Sequence, residues 1–228
     1  MNLKKTHIRL IFSSHLTVEE NYAFEEHVRQ TCGVNVVPVC YVNHNEFSLP
    51  QIYNRAIDEH HKDDGIMVFC HNDIVFKTWD WGKKLLAKFN NTDYQIIGVA
   101  GTTNMPDTGR WWDNRSKMVG TVEHTNGLRT WVSEYCKPFG GVKETCLIDG
   151  LFMAVDTSNI EHRFDEDFNG FHFYDVSFCI PNWLDGVNIG VVHDIRILHK
   201  SIGMTNQEWE NNRQFFVHKY GADLPIDI

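Results

Sequence analysis

Strand and helix signals alternate along the first half of the chain, and this order restricts the folds that the chain can adopt. The predicted strands are the apolar, β-branched runs His7 to Phe12, Asn35 to Val42, Gly65 to Cys70 and Gln95 to Ala100. Three predicted helices separate them: one from the capping-box pattern Thr17-Val18-Glu19-Glu20 to Gly33, one beginning at Pro50, and one over Trp79 to Phe89. This βαβαβαβ order predicts a parallel sheet with right-handed crossovers.

The pattern changes in the second half of the chain. A polar loop over Thr102 to Asn114 precedes two predicted antiparallel strands, Met118 to His124 and Leu128 to Tyr135. Cys146 to Val155 is predicted to be a buried strand, and Val187 to Leu198 is a β-rich run. Asp175 to Leu184 is predicted to be a helix that Pro181 kinks or shortens. The capping box Thr205-Asn206-Gln207-Glu208 opens the last helix, which ends at Gly221. With no repeat or linker in the sequence, we predict one α/β domain, residues 1–228, with a mostly parallel central sheet and a small antiparallel part.

Composition excludes several functions. The 228 residues carry a formal net charge of -9, so phosphates would repel the surface and neither nucleic acid nor an anionic membrane is expected as a partner. The six cysteines are dispersed without a CxxC pair, which predicts free thiols in a reducing compartment. Met1 to Phe12 predicts neither a signal peptide nor a membrane span, so we expect a cytoplasmic protein without an integral membrane segment.

The strongest local signal is His71-Asn72-Asp73, directly after a predicted buried strand. Ligands of open α/β sheets bind beyond the carboxyl ends of the strands, and a carboxylate there can hold a divalent cation on a diphosphate. The alternative is a turn in which Asp73 caps the next segment, because Asn and Asp favour turns. The tripeptide alone leaves both interpretations open.

A second signal is Gly170-Phe171-His172-Phe173-Tyr174-Asp175, an aromatic run that ends in an acid. Asp175 could be a helix N-cap at the edge of the core, or a general base for an acceptor hydroxyl beside aromatic rings that pack on a sugar. The two roles are compatible with each other, and the run alone does not choose between them.

Histidines and tryptophans supply two further candidates. His193 and His199 are an even number of residues apart and would share a face of one regular strand, so either could join a nearby carboxylate in a metal site. Trp111 and Trp112 follow Gly109 in the long loop, where adjacent side chains point in different directions. They predict a sugar-stacking platform or lid, or alternatively a satellite cluster that holds the loop in place.

Taken in order, these segments resemble the family-2-like glycosyltransferases with a GT-A fold, in particular a small bacterial group with HDD-type and FHFYD motifs. The matching segments are Gln51 to Ala56, Phe69 to Ile74, Asp149 to Val155, Phe164 to Glu166, Gly170 to Asp175 and His199 to Ser201. The resemblance spans about His7 to Trp209. It implies a nucleotide-sugar-binding half over residues 1–101 and an acceptor-binding half over residues 102–228.

The resemblance also implies roles for individual residues. Ser13, Ser14 and Asn54 would lie near the base of the donor, a UDP-sugar, and Asn72 would also contact the donor. Asp73, His71 and His199 would hold Mn²⁺ or Mg²⁺. Asp175 would be the catalytic base of an inverting transfer. Acceptor contacts would come from Trp111, Trp112, Asp149, Gly150, His172 and Tyr174. The acceptor would be a glycan or a lipid-linked saccharide, in surface-polysaccharide synthesis.

The sequence departs from the commoner motif of that family at His71, where an aspartate is usual. Imidazole suits Mn²⁺ tolerably and Mg²⁺ poorly, so the departure bears on metal preference. It also leaves open a non-catalytic module of the same fold that binds a nucleotide sugar or glycan. A sugar-phosphate nucleotidyltransferase is disfavoured because Ser13-Ser14-His15-Leu16 lacks the glycine and lysine of a phosphate loop. A histidine-rich metallohydrolase is disfavoured by the lack of HxHxD and HExxH.

Overall fold

A computed structural model describes residues 4–60, 65–203 and 205–228. The first three residues of the segment Met1 to Phe12 therefore lie outside the described residues. In the first half of the chain the elements are β1 (His7–Ser14), α1 (Val18–Cys32), β2 (Asn35–Val42), α2 (Leu49–His60), β3 (Ile66–Cys70), β4 (Ile74–Phe76), α3 (Trp81–Asn91) and β5 (Ile96–Gly98). The predicted alternation of strands and helices is confirmed.

The second half contains more strands, and most of them are short. They are β6 (Ala100–Thr102), β7 (Asn104–Met105), β8 (Met118–Thr125), β9 (Thr130–Glu134), β10 (Val142–Glu144), β11 (Leu147–Ile148), β12 (Phe152–Val155), β13 (Ile189–Val192), β14 (Ile197–His199) and β15 (Ile226–Asp227). The helices here are α4 (Tyr174–Leu184) and α5 (Gln207–Tyr220), with 3₁₀ turns at Arg115–Lys117 and Gly221–Asp223. Across the described residues, no helix is both long and apolar enough to cross a bilayer.

The central sheet has seven strands in the order β10-β13-β5-β12-β3-β1-β2. Five of them run in one direction: β1 pairs in parallel with β2 and β3, and β5 pairs in parallel with β13. The other two, β12 and β10, run against their neighbours. The prediction of a mostly parallel sheet with an antiparallel part is confirmed. Since β12 and β13 come from the second half of the chain, both halves build this one sheet.

The core lies on both faces of the central sheet. Along β1, Ile11 joins one apolar cluster while Leu10 and Phe12 join the other, as alternation along a strand requires. Helix α1 is fixed by its ends: Thr17 and Glu20 form the predicted capping box with N···O distances of 2.8 and 3.3 Å. At its other end, Gly33 adopts a left-handed conformation with a φ of 76°.

A second, six-stranded sheet has the order β11-β6-β8-β14-β4, with β9 paired to β8. The predicted antiparallel pair of strands is β8 and β9, joined as a hairpin. Strand β14 lies between β8 and β4, and its last residue, His199, is opposite Ile74 of β4 and His124 of β8. This register carries the end of β14 to the residues that follow β3.

Several predicted elements differ in the structure, among them the strand Gln95 to Ala100, which is split between β5 and β6 in different sheets. The Val187 to Leu198 run is two strands in different sheets, β13 and β14, so His193 and His199 do not share a face of one strand. The Cys146 to Val155 run is interrupted between β11 and β12 by a tight turn that begins at Asp149. The last helix begins one residue later than the predicted capping box, because Asn206 rather than Thr205 is the N-cap and accepts from the Trp209 amide at 2.8 Å.

The packing of α3 generates the first prediction. Trp81 is fully buried, stacks on Phe76 with ring centroids 4.2 Å apart, and donates to the Thr31 hydroxyl at 3.2 Å. Trp81→Phe removes that hydrogen bond and part of the buried ring, so we expect it to lower the free energy of unfolding by about 2 kcal/mol. Urea denaturation measures the loss. The matched control is Trp79→Phe, since Trp79 is 68% exposed and should change stability by less than about 0.5 kcal/mol. Equal losses of unfolding free energy in the two variants would contradict the stabilising role of the buried Trp81 ring.

Candidate active site

A cleft of about 1320 Å³ lies at the edge of the central sheet where β1, β2 and β3 end. Because β12 runs in the opposite direction, the turn before it, which begins at Asp149, reaches the same edge. The predicted site residues that line the cleft are Ser13, Ser14, His71, Asn72, Asp73, Trp111, Trp112, Asp149, His172 and His199. Residues that are far apart in the sequence are thus brought together by the ends of strands and by the loops that contain Trp111, Trp112 and His172.

A smaller pocket of about 160 Å³ adjoins this cleft and shares part of its wall, including His71 and Asp149. Tyr174 and Asp175, at the start of α4, line this side pocket. The candidate catalytic base, Asp175, therefore lies beside His71, one of the candidate metal ligands.

His71, Asp73 and His199 form one cluster, with ligand atoms within 4.8 Å of one another. Asp73 Oδ1 is 3.8 Å from His71 Nδ1 and 3.4 Å from His199 Nε2. That oxygen is buried and accepts no well-formed hydrogen bond from any described residue. A buried carboxylate oxygen between two ring nitrogens is a geometry that fits a divalent cation, and two nitrogens with one oxygen favour a borderline metal over Mg²⁺.

Electrostatics within this cluster favour the ionised acid. Burial opposes ionisation of Asp73, but contacts with His199 and the Ser201 hydroxyl hold its pKa well below the usual range. Burial likewise opposes protonation of His199, yet the adjacent Asp73 raises the pKa of this imidazole. The pKa of His71 is lowered, first by burial and then by His199. One negative carboxylate is therefore paired with a charged or readily charged imidazole.

The ring of His71 is fixed at both nitrogens. Nδ1 lies 3.3 Å from His199 Nε2, and Nε2 lies 2.9 Å from the Tyr174 hydroxyl. When Nε2 carries the proton and bonds to Tyr174, the lone pair of Nδ1 points into the cluster. Gly150 makes this approach possible, because a Cβ at that position would lie 2.1 Å from the Tyr174 hydroxyl oxygen. Gly150 is thus a packing residue that itself lines neither cavity.

Asp175 is held at the first turn of α4 and is not its N-cap, which is Phe173 with a φ of 63°. Its carboxylate accepts from the amides of Gly150 at 3.0 Å and Val176 at 2.9 Å. Burial, and next the negative charge of Asp149, raise the pKa of Asp175 to about 7 despite these bonds. A carboxyl with a pKa near neutrality can take a proton from a substrate more readily than an ordinary aspartate.

The polar wall at the end of β1 is also fixed. Asn72 donates to the Ser14 hydroxyl at 2.9 Å, and that hydroxyl accepts from the Leu16 amide at 3.1 Å. The backbone carbonyl of Asp73 accepts from the Lys200 amide at 2.9 Å, which joins the motif to the segment after β14. Ser14 and Asn72 therefore belong to one hydrogen-bonded wall.

Two other candidates lie outside the cleft. Asn54 of α2 is buried and bonds to both the carbonyl and the amide of Phe164, at 2.8 and 3.0 Å, so it anchors a loop. His193 is buried behind β8, where its Nε2 lies 2.8 Å from the Thr121 hydroxyl. Between the two late histidines, the structure brings only His199 to Asp73.

Sequence reasoning missed several residues of the cleft, among them Tyr53, Arg115, Tyr135, Ser201 and Trp209. Trp209 lies in the last helix, and no sequence motif connects it to Trp112. In the structure the two rings lie 5.3 Å apart. Trp111, by contrast, is mostly buried and packs edge-on against Trp112 at 5.8 Å. Adjacent tryptophans therefore do have different environments, as the sequence predicts.

Comparison with known proteins agrees with this architecture. The sequence matches the family described as "Glycosyltransferase like family" over residues 20–220. No curated protein gives a significant match to the sequence.

Solved structures with a similar fold include A197 from STIV, with 14% identity, a TM-score of 0.51 and 86% of each chain covered. They also include GalNAc-T7, whose structure contains UDP, GalNAc and Mn²⁺, with 9% identity and a TM-score of 0.55. That alignment covers 94% of this chain and 48% of GalNAc-T7, so the chain spans about half the length of that relative. At these identities the likeness concerns the fold, and it confirms the GT-A fold expected from the sequence.

The environment of Asp175 predicts an abnormal titration. In the metal-free protein we expect the Asp175 carboxyl to titrate with a midpoint of about 7, measured by ¹³C NMR and assigned by its loss in Asp175→Asn. Asp149→Asn removes a negative neighbour and should lower the midpoint, while leaving the larger contribution of burial. A midpoint near the ordinary value of about 3.9 would show that the carboxyl is not desolvated as described.

The contact between Tyr174 and His71 predicts an effect on metal affinity. Tyr174→Phe removes the partner of Nε2, and we expect Mn²⁺ to bind about 10- to 100-fold more weakly, since outer hydrogen bonds of this kind orient ligating histidines. Titration followed by electron paramagnetic resonance measures free Mn²⁺ directly. Tyr53→Phe is the control, because Tyr53 packs 5.8 Å from Tyr174 in the same core without bonding to His71. An unchanged affinity in Tyr174→Phe would reject the positioning role.

Proposed function

The chain belongs to the glycosyltransferase-like family, and we propose that it transfers a sugar from a nucleoside-diphosphate sugar, with UDP as the nucleotide, to a glycan or lipid-linked saccharide. The observation that carries the proposal is the His71–Asp73–His199 cluster at the carboxyl edge of the sheet, beside Asp175. The structure of the similarly folded GalNAc-T7 contains UDP, GalNAc and Mn²⁺, which supports a nucleotide-sugar donor and a metal for this chain. The hexosyl donor, the acceptor and a role in polysaccharide synthesis are parts of the proposal.

His71, Asp73 and His199 would hold the cation, with Mn²⁺ favoured over Mg²⁺ by the two imidazoles. When bound, the cation offsets the negative charge that develops on the leaving nucleoside diphosphate. The residues of the chain bind and orient the donor: Ser13 and Ser14 lie at the end of β1, where the nucleoside would lie, and Asn72 holds the Ser14 hydroxyl in place.

Asp175 would remove the proton from the attacking hydroxyl of the acceptor. Its two backbone donors hold the carboxylate in one orientation, and its raised pKa gives it the proton affinity that a general base needs near pH 7. Asp175 lies in the side pocket, and the polar wall at the end of β1 lies in the main cleft. This separation of the base from the donor wall favours in-line attack with inversion at the anomeric carbon.

The cytoplasmic localisation also remains a proposal. Its support is the oxidation state of the cysteines: all six are free thiols, and four of them are buried. Free thiols persist most readily in a reducing compartment.

The first experiment is a panel of nucleotide sugars incubated with the protein in Mn²⁺ or in EDTA. We expect metal-dependent release of nucleoside diphosphate from one donor, and a metal-dependent thermal shift with the same donor. A thermal shift without transfer to any acceptor would favour the non-catalytic nucleotide-sugar-binding module. The absence of both turnover and a thermal shift with every donor would reject the proposed donor class.

The assigned base and metal ligand predict separable defects. Asp175→Asn should lower kcat by roughly 10²-fold or more while the Kd of the donor is retained, because the base acts in the chemical step. Asp73→Ala should abolish metal-dependent donor binding. Asp185→Asn, at the other end of α4 and exposed, is the control and should leave both quantities unchanged. Wild-type turnover in Asp175→Asn would exclude this residue as the base.

A further inference from the structure

The side pocket beside Asp175 has a wall of aromatic rings that come from separate parts of the chain. Trp112 comes from the long loop and Trp209 from α5, with ring centroids 5.3 Å apart at an angle of 34°. Phe173 lies 5.3 Å from Trp209, and Phe171 stands at the rim with 40% of its surface exposed. Trp112 and Trp209 are only half-buried, so part of each ring remains open to the cavity.

The same pocket has two carboxylates that can accept hydrogen bonds. Asp175 uses its oxygens for the amides of Gly150 and Val176, and each oxygen retains a second lone-pair direction. Asp149 accepts from the Leu151 amide at 3.0 Å, and its other oxygen has no hydrogen bond within the described residues. Both carboxylates thus have free acceptor positions beside aromatic faces. This combination suits a ligand with an apolar ring face and adjacent hydroxyl donors.

The charge of the side pocket restricts the kind of ligand that it can bind. Among its described lining residues there is no lysine or arginine, and burial lowers the pKa of His172, which favours its neutral form. Arg115 lines the main cleft but not the side pocket. In the metal-free protein, an anionic group in the side pocket would therefore meet two carboxylates with no lysine or arginine to offset their charge.

We propose that the side pocket binds the terminal sugar of the acceptor as a neutral pyranose and discriminates against uronic acids and phosphorylated acceptors. One face of the sugar ring lies against Trp112 and Trp209. The attacking hydroxyl bonds to Asp175, and a neighbouring hydroxyl bonds to Asp149. The small volume accommodates one ring, while the shared wall lets the rest of the acceptor extend into the main cleft. This inference rests on the proposed function, because it specifies the acceptor of the same reaction.

Matched sugar pairs test the inference without any donor. Methyl glucopyranoside and methyl galactopyranoside are compared with the corresponding methyl glucuronide and galacturonide, which replace a hydroxymethyl group by a carboxylate. Binding is measured by saturation-transfer NMR at pH 8, above the pKa of about 7 at which Asp175 ionises. We expect at least one neutral sugar to bind about tenfold more tightly than its uronide. Equal or tighter binding of the uronides, or no binding of either neutral sugar, would overturn the proposal.

Two variants connect the selectivity to named residues. Asp149→Asn removes one charge with almost no change of shape, and it should reduce the preference for the neutral sugar several-fold. Trp209→Ala should abolish binding of the neutral sugar, and Trp79→Ala, which changes an exposed tryptophan outside both cavities, should not. If Asp149→Asn keeps the full preference for the neutral sugar, the role of charge is contradicted. This test does not depend on Trp209→Ala, which could fail to fold.

The donor panel separates this inference from the function on which it rests. Metal-dependent release of nucleoside diphosphate together with failed sugar binding would reject the acceptor assignment and leave the glycosyltransferase intact. Selective binding of neutral sugars without any donor turnover or donor binding would support the pocket as a sugar site and reject the proposed transfer.

Discussion

The direction of one strand determines how the site is assembled. Strand β12 lies antiparallel between β3 and β5, so its first residues stand at the edge where β3 ends. The Leu151 carbonyl accepts from the His71 amide at 3.2 Å, which joins the two segments at that edge. With a parallel strand in this place, Asp149 and Gly150 would lie at the opposite edge of the sheet. The contact of Gly150 with Tyr174, and the hydrogen bond of Tyr174 to His71, both depend on that direction.

Two partly buried aspartates at this edge have opposite electrostatic environments. Asp73 is next to imidazoles that can carry positive charge, and its pKa falls below the ordinary range. Asp175 is buried next to another acid, Asp149, and its pKa rises to about 7. Environments that move two carboxyl groups apart in pKa commonly separate a charge-bearing role from a proton-transferring role. The division between metal binding and base catalysis in the proposed function follows this difference.

The local elements were predictable because their signals are local. The capping box at Thr17, the β-branched run of β2 and the buried run of β3 each fix an element without reference to the rest of the chain. The position of His71 to Asp73 at a carboxyl edge followed from the strand order alone. The sequence pattern singled out Asp175, and His199 together with His193, and the resemblance assigned their roles; the structure places Asp175 in the side pocket and His199 in the cleft.

Pairings between distant segments could not be predicted. Period and propensity indicate that Val187 to Leu198 is β-rich, but not that β13 and β14 join different sheets. For the same reason Asn54 could not be recognised as the anchor of the Phe164 loop, since its partner is 110 residues away. The turn before β12 did carry a local signal, because Asp149-Gly150 is a dipeptide typical of turns, but the apolar residues on both sides favoured the prediction of one continuous strand.

The two sides of the cleft differ in composition for a physical reason. At the end of β1, hydroxyl and amide groups hold one another in place, as Asn72 holds Ser14. On the side of α5, rings from the loop and the helix pack against each other, and Trp209 is positioned there by the Asn206 cap one turn earlier. Polar groups bonded in advance suit a charged nucleotide, because binding then costs little reorganisation. Ring faces suit an uncharged sugar, whose C–H surface gains from leaving water. The boundary between the two sides runs through His71, which belongs to the cluster with Asp73 and His199 and also lines the side pocket that contains Asp175.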